Sequence, residues 1–149
     1  MSAASQLFTD TEKQELVKAI AAAELQTSGE IRLHIENKCK GGDAFKRGLK
    51  VFTQLNMHKT ALRNGVLFYI AAADRKFSII ADEGINQTVP SGFWDQIKEE
   101  MQSKFIKGEF VLGLLIGIEQ AGQQLEQHFP RAADDENELS NEISFGDEH

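Results

Sequence analysis

The stretch GVLFYIAAA, from Gly65 to Ala73, is apolar on both of its alternating faces. A strand with one solvent-exposed face alternates apolar and polar side chains, so this run indicates a strand that is covered on both faces. After the short polar turn Asp74-Arg75-Lys76, a second β-type run extends from Phe77 to Ala81, which predicts a hairpin over residues 65–81. The rest of the chain must therefore supply helices to both faces of a sheet.

Helical and strand periodicities on either side of the hairpin meet this requirement. The capping box Thr9-Asp10-Thr11-Glu12 predicts a helix start, and the alternation from Glu30 to Glu36 predicts a strand. Further helices are predicted over residues 44–55, 91–107 and 109–128. A strand–helix–strand order favours a parallel pair with a right-handed crossover, to which the hairpin adds an antiparallel strand. The predicted fold is α/β, a three-layer α/β/α sandwich around a mixed sheet.

The negative charge of the chain is concentrated at its C-terminal end. The formal net charge is −7, and residues 134–149 contain seven acidic residues with no Lys or Arg, so residues 1–133 are electrically balanced. Because Lys and Arg must neutralise phosphates in a nucleic-acid complex, this balance argues against nucleic-acid binding. We predict a domain over residues 1–133 and an acidic tail over residues 134–149. Its apolar residues Leu139, Ile143 and Phe145 would dock part of it on the domain or on a protein partner.

The sequence has no apolar stretch near the roughly 20 residues that a membrane span needs, so membrane insertion is not expected. The first residues, MSAASQLFTDTEKQEL, have neither the basic nor the apolar region of a signal peptide. The single cysteine, Cys39, is compatible with a reducing compartment. These features together predict a cytoplasmic protein.

Acidic and amide side chains are expected to gather at one end of the sheet. Hairpin pairing places Asp82 and Glu83 near the start of the central strand, beside Asn64, and a parallel first strand brings Glu30 to the same end. Carboxylate and amide oxygens without Cys or His are the ligands that Ca²⁺ and Mg²⁺ prefer. The sequence therefore predicts a divalent-cation site formed by Glu30, Asn64, Asp82 and Glu83.

Two alternatives remain open for these acids. Asp74 lies at the opposite end of the hairpin, with Glu36 expected nearby, and offers a second place for the cation. The acids at the first end could also be solvated residues at strand ends, one of them paired with Arg63. If the chain acts on phosphate esters, Arg63 is instead a candidate contact for the phosphate.

Three segments in combination resemble the TPM domain family over about residues 9–130. They are TSGEIRLHIE, the hairpin segment RNGVLFYIAAADRKFSIIADEGI, and the run GEFVLGLLIGI from Gly108 to Ile118. The resemblance implies an α/β/α sandwich and divalent-cation binding. Some plant thylakoid-lumen relatives are described as acid phosphatases, and other members serve in the assembly or repair of membrane protein complexes.

The match also has departures. Many secreted relatives have Gly-Tyr-Gly where this chain has Asp82-Glu83-Gly84, and they lack an acid at the position of Glu30. The chain is expected to lack the signal peptide and the C-terminal membrane anchor common in those relatives, so it is similar to a stand-alone cytosolic branch. Glu30 and Asp82, as ligands, would be specific to that branch. Because no phosphatase motif is present, we expect a cation-binding module without catalysis, used in binding or assembly. The alternative is a metal-dependent acid phosphatase that hydrolyses phosphomonoesters.

Overall fold

The computed structural model describes residues 3–131 and 143–146. Its elements, in chain order, are α1 (Ala3–Gln6), α2 (Asp10–Glu24), β1 (Glu30–Glu36), α3 (Ala44–Gln54), a 3₁₀ turn (Met57–Lys59), β2 (Gly65–Ala71), β3 (Lys76–Ala81), α4 (Glu83–Asn86), α5 (Phe93–Ile106), α6 (Phe110–His128) and β4 (Ser144–Phe145).

The strands form one mixed sheet in the order β3-β2-β1-β4. Strand β1 is parallel to β2, with Glu30 opposite Gly65, and β2 is antiparallel to β3, with Val66 opposite Ala81. Helix α3 makes the connection between the two parallel strands. The mixed sheet and the hairpin agree with the pattern that the sequence predicts.

Helices cover both faces of this sheet. On one face, α2, α5 and α6 pack against alternate residues of the strands and form a large apolar core. This core includes Leu16, Ile31, Phe68, Met101 and Leu114. On the other face, α3 and the 3₁₀ turn bury a smaller cluster. Every residue of β2 is buried, as its apolar character on both faces requires. The three-layer α/β/α sandwich is therefore confirmed.

Two local sequence features explain how the larger layer is assembled. The capping box of α2 is formed, with Thr9 N–H donating to Glu12 Oε1 at 2.9 Å and Glu12 N–H donating to Thr9 Oγ1 at 3.1 Å. In α6, a Cβ on Gly117 would lie 2.7 Å from Met101 Sδ and 2.9 Å from Phe68. This glycine therefore allows α6 to pack closely against both α5 and the sheet.

Residues 143–146 lie along the free edge of β1. Ser144 and Phe145 pair in parallel with His34 and Ile35, and Gly146 N–H donates to Ile35 O at 2.8 Å. Ile143 packs against the larger core. The rest of the acidic tail, with Leu139, lies outside the described residues, so the predicted docking of that part stays a prediction.

No helix in the described ranges is both long enough and apolar enough to cross a membrane.

Candidate functional site

The backbone brings all four predicted ligands to one end of the sheet. Glu30 N–H donates to Asn64 O at 3.2 Å, and Asp82 N–H donates to Gly65 O at 3.0 Å. Glu83 follows directly as the first residue of α4. The parallel β1–β2 register and the hairpin register together produce this placement, and we call this end of the sheet the acidic end.

The carboxylate of Asp82 is already engaged by Arg63. Arg63 Nε donates to Asp82 Oδ2 at 2.8 Å and Nη2 donates to Oδ1 at 2.9 Å, while Nη1 lies 3.3 Å from Glu83 Oε1. Asp82 Oδ1 also accepts the Glu83 N–H at 2.8 Å and so caps α4. Asp82 is buried, whereas the side chain of Glu83 is 63% exposed. Both oxygens of the inner carboxylate are therefore committed to an ion pair.

Gly84 permits this arrangement. Its N–H donates to Arg63 O at 2.9 Å, and a Cβ at this position would lie 2.2 Å from Leu62 O and 2.6 Å from Arg63 O. A side chain here would push α4 away from the segment that carries Arg63. The short helix α4, which was not predicted from the sequence, thus fixes the position of Asp82 against its partner.

Two buried carboxyl groups meet at the edge of the acidic end. Glu24, the last residue of α2, and Glu30 are 4% and 2% exposed. Glu24 Oε2 accepts the Ile31 N–H at 2.8 Å. Burial above all, and then a hydrogen bond with the Glu30 side chain, raise the pKa of Glu24 to about 9. The pair therefore retains a proton at neutral pH.

Glu24 was not among the site residues predicted from the sequence. Glu24 is the last residue of α2, and the sequence pattern of this helix indicates only which of its faces is apolar. The residue is buried because the end of α2 lies close to β1. An acidic residue near the end of a helix is weak evidence for a buried site, because its burial depends on how the helix packs in the folded protein. No local motif in the sequence identifies this acid as a partner of Glu30.

Asn64 is also buried at this end, with 1% of its surface exposed. Its Nδ2 lies 3.4 Å from Ser28 Oγ, and its Oδ1 has no hydrogen-bond partner among the residues that the structure describes. A buried amide oxygen without a partner is uncommon and destabilising. Together with the buried acids, it makes this region rich in oxygen atoms that could accept a cation.

These oxygens do not form a ready metal site. Within residues 3–131 and 143–146, no group of three or more His, Cys, Asp or Glu side chains is arranged so that it could hold a metal ion. An ion coordinated by Asp82 would have to replace Arg63 as the partner of that carboxylate.

The alternative acid, Asp74, lies at the opposite end of the hairpin. Its Oδ2 accepts the Cys39 N–H at 2.7 Å, an interaction that fixes the loop after β1. At the same end of β1, Glu36 is bound by Arg47, with Nε to Oε2 at 2.8 Å and Nη2 to Oε1 at 2.9 Å. The hydroxyl of Tyr69 donates to the same carboxylate. The acids at this end therefore have structural partners.

A histidine extends the Glu36 network to the C-terminal strand. His34 Nε2 lies 3.3 Å from Glu36 Oε1, and Nδ1 lies 2.6 Å from Ser144 Oγ. Burial lowers the pKa of His34, which keeps its imidazole neutral at neutral pH. A Cβ on Gly146 would lie 2.7 Å from Glu36 Oε1, so the end of β4 packs directly over the network. This arrangement attaches residues 144–146 to the domain.

Comparisons with known proteins agree with this fold. The model of the TPM domain family matches residues 1–124. The NMR structure of the BA42 protein from the psychrophilic bacterium Bizionia argentinensis is 45% identical, with a TM-score of 0.86 over 93% of this chain and 95% of that chain. This chain belongs to the TPM domain family.

More distant structures share the fold alone. An N-terminal domain from P. gingivalis is 17% identical, with a TM-score of 0.68, and covers 86% of this chain and 84% of its own. The N-terminal domain of the cg2496 protein from Corynebacterium glutamicum is 13% identical, with a TM-score of 0.57, and covers 81% of this chain and 75% of its own. No curated protein matches the chain significantly.

Proposed function

We propose that this TPM domain binds a divalent cation, Ca²⁺ or Mg²⁺, at the acidic end of the sheet and has no catalytic activity. The ligands would come from Glu30, Asn64, Asp82 and Glu83. The observation that carries the proposal is the Glu24–Glu30 pair of carboxyl groups, both buried at the end of the sheet where Asn64 is also buried.

A buried pair of carboxyl groups is unfavourable unless something balances its charge. In the absence of an ion, the shared proton does so. A divalent cation would replace that proton and supply two positive charges, and both Ca²⁺ and Mg²⁺ prefer oxygen ligands. Cation binding would therefore release a proton, and the affinity should increase as the pH rises towards the pKa of Glu24.

Arg63 is the competitor of the cation. Its guanidinium holds Asp82 with two hydrogen bonds and lies close to Glu83, so it acts as a positive charge that occupies the site. The side chain of Arg63 is 43% exposed and can move into solvent when an ion takes its place. Replacement of Arg63 by the cation would keep the charge of the site balanced. It would also limit the affinity for the cation, because the Arg63–Asp82 ion pair is lost when the cation binds.

Addition of Ca²⁺ is expected to raise the melting temperature of the wild-type domain. A ligand that binds only the folded state stabilises it by about 2.7 kcal/mol at a concentration one hundred times its Kd. The measurement is a thermal melt with and without millimolar Ca²⁺ or Mg²⁺, combined with amide chemical shifts. Glu30→Gln should reduce the stabilisation caused by Ca²⁺.

Asp74→Asn is the matched control, because its amide oxygen can still accept the Cys39 N–H and no charge at the acidic end is changed. The melt of this variant should respond to Ca²⁺ as the wild type does. An unchanged wild-type melt at millimolar Ca²⁺ would refute cation binding. A response lost only in Asp74→Asn would move the site to the opposite end of the hairpin.

A metal-dependent acid phosphatase is the alternative function. In that case Arg63 would contact the phosphate, but its guanidinium is occupied by Asp82, and the acidic end presents carboxylates rather than a nucleophile with an adjacent base. We therefore expect no Mg²⁺- or Ca²⁺-dependent hydrolysis of p-nitrophenyl phosphate. Hydrolysis that persists through purification, requires the metal and disappears in Asp82→Asn would establish the phosphatase instead.

A further inference from the structure

A cavity lies at the opposite end of β2 from the acidic end. It has a volume of about 630 Å³, is partly open to solvent, and is lined by the end of β2, the hairpin turn, the α5–α6 turn and Leu7. Its walls are largely apolar, with Ile70, Phe77, Phe105 and Phe110 among them. A cavity of this volume and character is in the range of small-molecule sites.

The aromatic residues of the cavity already form a preorganised wall. The rings of Phe77 and Phe105 meet edge to face with centroids 4.9 Å apart, and Phe110 follows at 5.7 Å from Phe105. Ile106, which also lines the cavity, is 78% exposed. Apolar surface of this kind remains in contact with water unless a ligand covers it.

The charged residues that line the cavity are both cations, Arg75 and Lys76. Lys76 Nζ donates to Gly42 O at 2.6 Å, so its ammonium already has a partner. The side chain of Arg75 forms no hydrogen bond or ion pair within the part of the chain that the structure describes. The neighbouring Asp74 does not neutralise it, because that carboxylate accepts the Cys39 N–H. Among the residues that the structure describes, the guanidinium of Arg75 is therefore the positive charge at the cavity that has no partner.

The backbone of Arg75 supports a role for its side chain. This residue adopts φ = 55°, the left-handed conformation that glycine and asparagine accept more readily than other residues. The hairpin turn alone would be made more favourably with either of them. The guanidinium of Arg75 is thus held at the cavity although its backbone conformation makes the turn less stable than glycine or asparagine would.

We propose that this cavity binds an apolar chain that ends in a carboxylate, of the fatty-acid type. The hydrocarbon would lie against Phe77, Phe105 and Phe110, and the carboxylate would accept hydrogen bonds from Arg75. Charge complementarity selects this ligand: the charged lining residues are cationic, and the guanidinium binds carboxylates with two parallel hydrogen bonds. The proposal is independent of the cation site, since the two regions are at opposite ends of β2.

The test is a titration of the full chain with decanoate, below its micellar concentration, followed by amide and aromatic chemical shifts. We expect saturable shifts at Leu7, Ile70, Phe77, Phe105 and Phe110. Decanol, which has the same chain without the charge, should bind at the same place more weakly.

Variants separate the two parts of the site. Arg75→Gln should weaken decanoate binding about fivefold to tenfold and leave decanol binding unchanged, whereas Ile106→Gln should weaken both ligands. Arg75→Gly, which also relieves the strained turn, should weaken decanoate in the same way and keeps the test valid if Arg75→Gln fails to fold. Lys50→Gln, on the exposed surface of α3, is the control for the loss of one positive charge and should bind decanoate as the wild type does.

Three results would overturn the proposal. The first is the absence of saturable shifts at these residues. The second is equal decanoate affinity in wild type, Arg75→Gln and Arg75→Gly. The third is binding to vesicles of anionic phospholipid without any binding of monomeric decanoate, which would make the cavity part of a membrane-contacting surface instead.

Discussion

Replacing Glu36 with glutamine is expected to lower the free energy of unfolding by about 3–5 kcal/mol at neutral pH, the range for breaking a buried ion pair by removing one partner. Glu36 is 3% exposed and the side chain of Arg47 is 10% exposed, so neither charge is solvated. The carboxylate accepts two hydrogen bonds from Arg47 and another from Tyr69. A glutamine amide would present an N–H where these donors require an acceptor, and it would leave the guanidinium without a counter-charge.

The same carboxylate should govern acid unfolding. Burial alone would raise the pKa of Glu36, but hydrogen bonds from Arg47, Tyr69 and His34 outweigh it and hold the pKa at about 2. A carboxyl whose pKa is lower in the folded state stabilises that state above its unfolded pKa, near 4.5, and this contribution is lost as the pH falls towards 2. The destabilisation caused by Glu36→Gln should therefore be large at pH 7 and much smaller at pH 3.

Urea unfolding followed by circular dichroism at both pH values measures this difference. Glu126→Gln removes an exposed carboxylate and is the matched control, with an expected effect below about 0.5 kcal/mol. A loss of less than about 1 kcal/mol in Glu36→Gln at pH 7 would mean that the network does not stabilise the fold as the geometry indicates.

Replacing Glu24 with glutamine should have the opposite effect and stabilise the protein at alkaline pH. Burial and the hydrogen bond with Glu30 raise the pKa of Glu24 to about 9. Between its unfolded pKa near 4.5 and this value, the folded state binds more protons than the unfolded state. Stability therefore decreases as the pH rises, by at most about 1.4 kcal/mol per pH unit for this group.

Glutamine is neutral at every pH, and its amide oxygen can still accept the Ile31 N–H. We expect Glu24→Gln to be more stable than wild type by roughly 1–3 kcal/mol at pH 8 and to show little difference at pH 4. The measurement is the free energy of unfolding in urea across this pH range without divalent cations. A pH dependence identical to that of the wild type would show that Glu24 is not the proton-binding member. A flattened profile in Glu30→Gln would then assign the proton to Glu30.

The Glu24 result also bears on function. Natural sequences that retain a buried, destabilising acid commonly do so for binding or catalysis rather than for stability. A stabilised Glu24→Gln variant would support the proposal that the acidic end exists to receive a cation.

Strand β2 shows how far local sequence patterns predict this fold. Its apolar character on both parities required a covered strand, and the polar turn at Asp74 required a hairpin. These local patterns, together with one parallel crossover, were sufficient to predict the α/β/α sandwich. They also placed Glu30, Asn64 and Asp82 at one end of the sheet, because strand register follows from periodicity and turn length.

The partners of those side chains depend on how the layers pack against one another. The pairing of Asp82 with Arg63 depends on the close approach of α4 to the segment before β2, and the Glu24–Glu30 pair depends on where the end of α2 packs against β1. The network around Glu36 joins α3, β2 and β1, which are separated along the chain. Periodicity reports which face of an element is buried, whereas partners and pKa values depend on distances between elements, and those distances are set only when the layers pack.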